Sequence, residues 1–241
     1  MIVTRLAEVW VYLAQTPLLW LALTVVAYAA ADALHARLRR HPLAHPVLVA
    51  AAVLIAVLAV SGTPYPEYFE GAQFVHFLLG PATVALAIPL HRELGRVRAR
   101  ARPLAAALLA GSTTAVVTAI GTAWLLGAPR ATLVSLAPKS TTTPVAMGIA
   151  EKLGGLPSLT AALVILTGIL GGVAGPALLR LAGVRDPAAR GFALGVASHG
   201  IGTARAFQLG EREGAFSGLA MGLNALATTL LLPAILRFLG L

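Results

Sequence analysis

The sequence predicts an all-α, polytopic integral membrane helical bundle containing broken or re-entrant helices, and three observations carry that prediction. Hydrophobic residues make up 58% of the 241 and charged residues 11%, with a mean hydropathy of +0.85; soluble domains carry about 25% charged residues. Leu104 to Pro129, Leu153 to Leu179 and Gly214 to Leu236 contain no Asp, Glu, Lys or Arg, and each reaches the ~20 residues that a helix needs to cross a hydrocarbon core. Basic residues gather where the apolar runs end: Arg37, Arg39 and Arg40 after the first, Arg92, Arg96, Arg98, Arg100 and Arg102 between two others, and Arg180, Arg185 and Arg190 after a third. Lipid offers no partner for backbone groups, so spanning segments must be helices or a closed barrel. These runs are continuous rather than alternating, which argues against a barrel.

Composition also excludes function classes. The chain has no cysteine, which removes disulfides, thiolate nucleophiles and Cys-based zinc sites. The net charge of +9 is not a nucleic-acid footprint, because the bases sit at helix ends rather than among aromatic and polar residues on a soluble face. It is a topology signal that puts the basic loops in the cytoplasm. Met1 to Ala31 has the small residues of a cleavable signal, but its apolar stretch is too long for one, and it is read as a retained first helix.

In chain order, Leu18–Leu38 is predicted to enter the cytoplasm and Val47–Ser61 to leave it. "GTPYPEYFEGAQ" (Gly62–Gln73) is expected to be an external turn rich in Pro and Tyr. Phe74–Leu90 returns to the five-arginine loop, Pro103–Gly127 goes out, and Pro157–Leu179 comes back to the loop bearing Arg180, Arg185 and Arg190. Between the last two, Ala131–Gly155 must begin and end outside, which makes it re-entrant or broken. Gly214–Leu236 is the final span.

The re-entrant stretch carries "APKSTTTPVAMGIAEKLGG" (Ala137–Gly155). Irregular backbone at membrane depth survives only where protein or a watery cavity surrounds it. Pro138 and Pro144 disfavour helix in the residues before them, and a helix is expected to restart at Pro144 and end near Gly154 and Gly155. Ser140, Thr141, Thr142 and Thr143 then occupy the break, with Thr143 expected as N-cap. Their hydroxyls and the free N–H groups of a half-helix make an anion site, beside the charge of Lys139.

A second polar cluster is "SHGIGTARAFQLGEREGAFSG" (Ser198–Gly218). His199 and Arg205 lie in an otherwise apolar, glycine-punctuated stretch, where ionisable residues mark functional positions. Thr143, Ala146, Glu151, Lys152 and Gly154 recur sixty residues later as Thr203, Ala206, Glu211, Arg212 and Gly214, with Thr83 sixty residues earlier. The pattern suggests internal repeats, which in transporters bring broken helices together at the midplane. Glu151 and Glu211 have no nucleophile or metal motif beside them, so an enzyme is not expected. His199 has no companion at ligand spacing, so no metal is expected either.

Five ordered motifs, "LLGPATVALAIPL", "APKSTTTPVAMGIAEKLGGLPSLTA", "RDPAARGFALG", "SHGIGTARA" and "EGAFSGLAMGLN", closely resemble the LrgB/CidB family of bacterial membrane proteins. The resemblance runs from Tyr65 to Leu236; residues Met1–Pro64 agree only in general character, and the whole chain reads as one LrgB-like transmembrane domain. Such a resemblance implies a multi-pass protein of the bacterial inner membrane without a cofactor. It also implies one of two roles. Related proteins transport small carboxylates, among them bacterial pyruvate systems and the chloroplast glycolate/glycerate transporter. The family was described as antiholin-like, affecting murein hydrolase activity and autolysis with a small LrgA/CidA-type partner, which here would be a separate polypeptide.

The carrier reading accounts for the buried polar break. It places a monocarboxylate anion between Lys139, Ser140, Thr141, Thr142 and Thr143 on one side and His199, Thr203 and Arg205 on the other, with Thr83, Glu151 and Asn224 in support. Lys139 or Arg205 would neutralise it, and His199 would carry a coupled proton. A homo-oligomer is compatible with either role. The alternative, an assembling antiholin-like regulator, needs apolar spans and contacts but has no use for the break.

Overall fold

The computed structural model describes residues 17–38, 44–78, 81, 84–85 and 87–240, and no strand occurs among them. The chain forms two compact units, Met1–Ala85 and Leu86–Leu241.

In the first unit α1 (Pro17–Arg37), α2 (Pro46–Ser61) and α3 (Tyr65–Phe77) pack through α1. Ala27, Ala31 and Ala50 let α1 and α2 approach closely, as small residues do between helices that lipid does not drive together. On the α3 side Trp20 is fully buried and meets Tyr68 edge-on at 5.8 Å. The Thr24 hydroxyl donates to the Trp20 carbonyl at 2.7 Å, so it accepts from the Tyr68 hydroxyl at 3.1 Å. Gly62, at φ 69°, ends α2. The expected external turn Gly62–Gln73 is therefore corrected: from Tyr65 onward it is helix. Pro64 and Pro66 suggested a turn, but proline at a helix start costs no hydrogen bond. Leu78 turns out of α3, so the predicted span Phe74–Leu90 is not one helix.

The second unit holds α4 (Ala87–Arg92), α5 (Leu94–Ala99), α6 (Ala101–Leu125), α7 (Arg130–Leu136), α8 (Thr143–Leu153), α9 (Pro157–Leu181), α10 (Pro187–Leu209) and α11 (Glu211–Phe238). By length and composition α1, α6, α9 and α11 are each able to cross a bilayer. The arginines expected in a loop lie largely on α4 and α5. They draw one end of the unit together: Arg92 pairs with Glu211 at 2.7 Å, Arg212 with Glu93 at 3.6 Å, Arg190 with Glu213 at 3.9 Å, and Arg100 with Asp186. Within this unit the two basic segments predicted to be cytoplasmic, Arg92–Arg102 and Arg180–Arg190, thus share one end.

Two segments enter this bundle and turn back. In the first, the Arg130 guanidinium at the start of α7 lies beside Gly154 at the end of α8, so the two arms share a base; the Ser135 hydroxyl accepts from the Leu156 N–H at 2.8 Å and the Ser135 carbonyl accepts from the Thr160 hydroxyl at 3.0 Å, which ties the end of α7 to the start of α9. The second is α10. Its backbone leaves helical geometry at Ser198 and His199, and it passes the start of α11 twice. Before the bend, Gly191 and Gly195 lie against the Glu213 and Ser217 carbonyls; after it, Thr203 meets Ser217 and Phe207 meets Gly214. A Cβ at Gly195 would overlap the Ser217 carbonyl oxygen, so only glycine permits this approach. The two hairpins have bases at opposite ends of α9, which starts beside Ser135 and leads into α10.

Each hairpin has its own apolar anchor. Val134, Ala137 and Ile149 pack with Val116, Ile120, Leu232 and Leu236; Ala188, Phe192 and Val196 pack with Phe216 and Ala220. A hairpin plus a long helix occurs twice, as repeats would give. The sixty-residue register does not hold: Gly154 caps α8 at φ 84°, whereas Gly214 lies inside α11, and Thr143 opens α8, whereas Thr203 lies within the returning arm of α10.

Candidate site at the hairpin tips

The first tip is built by residues that cannot continue a helix. Pro138 follows α7, and its carbonyl accepts from both the Thr141 N–H at 3.0 Å and the Thr141 hydroxyl at 2.9 Å. Thr142, extended at φ −65° and ψ 143°, precedes α8. The expectation that Thr143 caps α8 is corrected: Thr143 is its first residue, Thr142 holds the cap position, and the Thr142 hydroxyl makes no capping bond. The capping role went instead to backbone geometry, because Pro144 pre-forms the first turn. Ser140 and Thr141 are buried, while Lys139, Thr142 and Thr143 are half-buried. The Lys139 ammonium donates to the Ser140 hydroxyl at 3.2 Å, and among the described residues it has no carboxylate partner.

The second tip is a sharper reversal. His199 sits at φ 43° and is the non-glycine residue with positive φ among those described. Its ring faces α9, where the Val164 carbonyl lies 2.9 Å from Nε2. A carbonyl only accepts, so Nε2 carries the proton. Glycines on α9 make the seat: a Cβ at Gly168 would meet the His199 ring at 2.6 Å, and one at Gly171 would overlap the Ser198 hydroxyl. The Thr203 hydroxyl donates to the His199 carbonyl at 2.9 Å and therefore accepts from Ser217 at 2.9 Å. Thr203 braces the reversal.

Asn224 joins the tips. Its Nδ2 donates to the Ser140 carbonyl at 3.0 Å and the Val196 carbonyl at 3.1 Å, and its Oδ1 accepts from the Ser112 hydroxyl at 2.5 Å. Gly168, Ser112 and Asn224 each lie at the centre of a long helix, α9, α6 and α11, so the tips meet at half the depth of the bundle. Thr141 and Asn224 are 1% exposed and His199 4%, so the meeting point is buried.

Of the predicted site residues, the structure thus puts Ser140 in contact with Asn224, with Lys139 and Thr141 beside Ser140 in the first tip, and His199 and Thr203 in the second tip, which Asn224 reaches through Val196. Arg205 lies in the returning arm of α10, where it donates to Gln208 at 2.7 Å. Glu151 is exposed in the last turn of α8, and Glu211 is paired with Arg92 at the end of the unit, so these two carboxylates form no acid–base pair. Thr83 lies outside the described residues. Sequence reading missed Ser112, Ser135, Ser198 and Ser217. Ser112 had a signal, as the first of three consecutive hydroxyl residues, Ser112–Thr114, in an uncharged run, and the glycines at 168, 171 and 175 mark one close-packed face of α9.

Opposed hairpins meeting inside a helical bundle define a multi-pass membrane protein with irregular backbone at its centre. The LrgB-like family model matches residues 24–238, and the chain belongs to that family. Uncharacterized protein YwbG of Bacillus subtilis is 39% identical over 90% of this chain and 96% of its own length. Holin-like protein CidB of Staphylococcus epidermidis is 32% identical over 90% and 95%. Antiholin-like protein LrgB of Bacillus mycoides is 30% identical over 93% and 98%. No solved structure matches the chain.

Proposed function

We propose that the protein carries small monocarboxylate anions across the bacterial cytoplasmic membrane by alternating access. The observation that carries this reading is the meeting of two hairpins, based at opposite ends of α9, on the single side chain of Asn224. Broken helices that meet at mid-depth present half-helix N-termini to an anion and leave one gate on each side. At the first tip the N-terminus of α8 lacks a side-chain cap, and Lys139 supplies a charge without a carboxylate partner among the described residues. A carboxylate bound there would accept from Lys139 and the Thr142 and Thr143 hydroxyls while the first hairpin is open, and be released when the second opens. Arg205, within the second hairpin, would meet the anion on the way out.

A second reading is supported by the names of the relatives, which fit it better than they fit a carrier: a holin-like or antiholin-like regulator that acts by assembly in the membrane. That reading implies a separate LrgA/CidA-like partner and a role without catalysis.

Thermal unfolding of purified protein with pyruvate, lactate, glycolate and glycerate separates the two. Binding to the folded state raises Tm in a saturable way. The carrier reading expects such a rise for at least one of these anions and its loss in Lys139→Ala; a Tm indifferent to all four in the wild type would leave the regulator ahead.

A further inference from the structure

We propose that Asn224 is an interlock that keeps the two hairpins from opening together; the inference rests on the reading of the hairpins as the gates of a carrier. The carboxamide nitrogen has two hydrogens, and each is committed to a different gate: one to the Ser140 carbonyl of the first tip, the other to the Val196 carbonyl of the second. Its oxygen is held by Ser112 on a long helix that belongs to neither hairpin. The amide therefore has no spare donor, and its position is set from outside the gates.

With either gate open one of these bonds remains, and with both open neither does. Release of one tip also frees the amide from serving two acceptors, so it aligns better with the carbonyl that stays. Opening one gate thus tightens the other. Ser140 and Val196 are buried, so a carbonyl that loses Asn224 has no substitute until water enters, and a buried acceptor left unpaired is costly. The state that this arrangement suppresses is a continuous polar path between the bases of the hairpins, in which the protein would behave as a pore. Asn224 is a positioning residue: it acts on solute movement through the hairpins it holds.

The chain has no cysteine, which permits a direct test on the full-length protein in membranes. Ser140→Cys and Val196→Cys are introduced together and oxidised, with the rate of disulfide formation reporting how often the tips lie together. Chloride release from loaded liposomes is measured in parallel on proteins without the cysteines. Asn224→Ala is expected to slow cross-linking about tenfold, the loss of two ordinary hydrogen bonds, and to raise chloride leak. Ser112→Ala keeps the carboxamide but frees its oxygen, and is expected to do both to a smaller extent; it carries the test if Asn224→Ala does not reach the membrane. Wild-type cross-linking in these variants overturns the interlock, as does slowed cross-linking in liposomes that stay as tight as wild type. Cross-linking is read without any carboxylate, so failure of the carrier reading appears separately, as absent carboxylate uptake by the wild type.

Discussion

The His199 ring bonds to the Val164 carbonyl through Nε2 at 2.9 Å, and this one contact sets the depth at which the second hairpin turns. Val164 lies in the half of α9 nearer the base of the first hairpin. His199 therefore reaches past the centre of the bundle from the opposite end. Its backbone supports that reach at φ 43° and ψ −133°, a conformation that L-residues rarely adopt and that costs of order 1–3 kcal/mol.

The first prediction separates ring from backbone. His199→Gly removes the bond to Val164 but relieves the backbone, whereas His199→Val removes the bond and places a β-branched residue at positive φ. His199→Val is expected to unfold at lower temperature than His199→Gly, by the equivalent of about 1–3 kcal/mol. Equal melting of the two would mean that the reversal carries no strain.

The seat on α9 gives the second. A Cβ at Gly171 would overlap the Ser198 hydroxyl, while one at Gly222 meets nothing within 4 Å. Gly171→Ala should destabilise by about 1–3 kcal/mol, the usual cost of overpacking, and Gly222→Ala should be neutral or stabilising by up to about 1 kcal/mol from helix propensity. Thermal unfolding of both variants in one detergent checks the contrast; comparable losses at the two positions would contradict the seat.

Opposite bases for the hairpins predict opposite accessibility. A cysteine at Lys152 should react with an impermeant maleimide in intact cells, and one at Arg98 only after permeabilisation. Both positions are exposed. Labelling of Arg98→Cys from outside would invert the topology.

The spans and the first hairpin were legible in the sequence because their causes are local. Charge-free runs, basic flanks and the Pro138–Pro144 break each follow from a rule about one segment, and parity between basic loops required Ala131–Gly155 to turn back. The second hairpin was only half legible. Glycine and polar residues drew notice to Ser198–Gly218, but nothing local says that α10 reverses; the reversal depends on space left by Gly168 and Gly171, some thirty residues earlier. Asn224 stood out in a resembling motif, yet its role requires Ser112, Ser140 and Val196 to converge on it, which is tertiary. Pro64 and Pro66 misled in the other direction, since the same residue favours a turn and a helix start.

Ion pairing at the basic end yields a prediction in pH. Hydrogen bonding to Arg96 at 2.7 Å, aided by the charges of Arg96 and Arg212 against a smaller opposing effect of burial, holds the Glu93 carboxyl below its ordinary value of 4.5. A depressed folded-state value means that its contribution is present above 4.5 and is lost as pH falls through the folded value. Wild-type Tm should therefore drop on acidification below that ordinary value by more than the Tm of Glu93→Gln. Parallel curves for the two proteins would show that Glu93 contributes nothing.

The central claim, that two alternating gates enclose a carboxylate site, is tested most directly by counterflow. Liposomes holding only this protein are loaded with an unlabelled monocarboxylate and diluted into a trace of the labelled one, across the panel of pyruvate, lactate, glycolate and glycerate. A carrier predicts transient accumulation of label above its external concentration, saturable and lost in Lys139→Ala. Label that merely equilibrates, or does not enter for any of the four, would contradict alternating access and leave assembly in the membrane as the function of the chain.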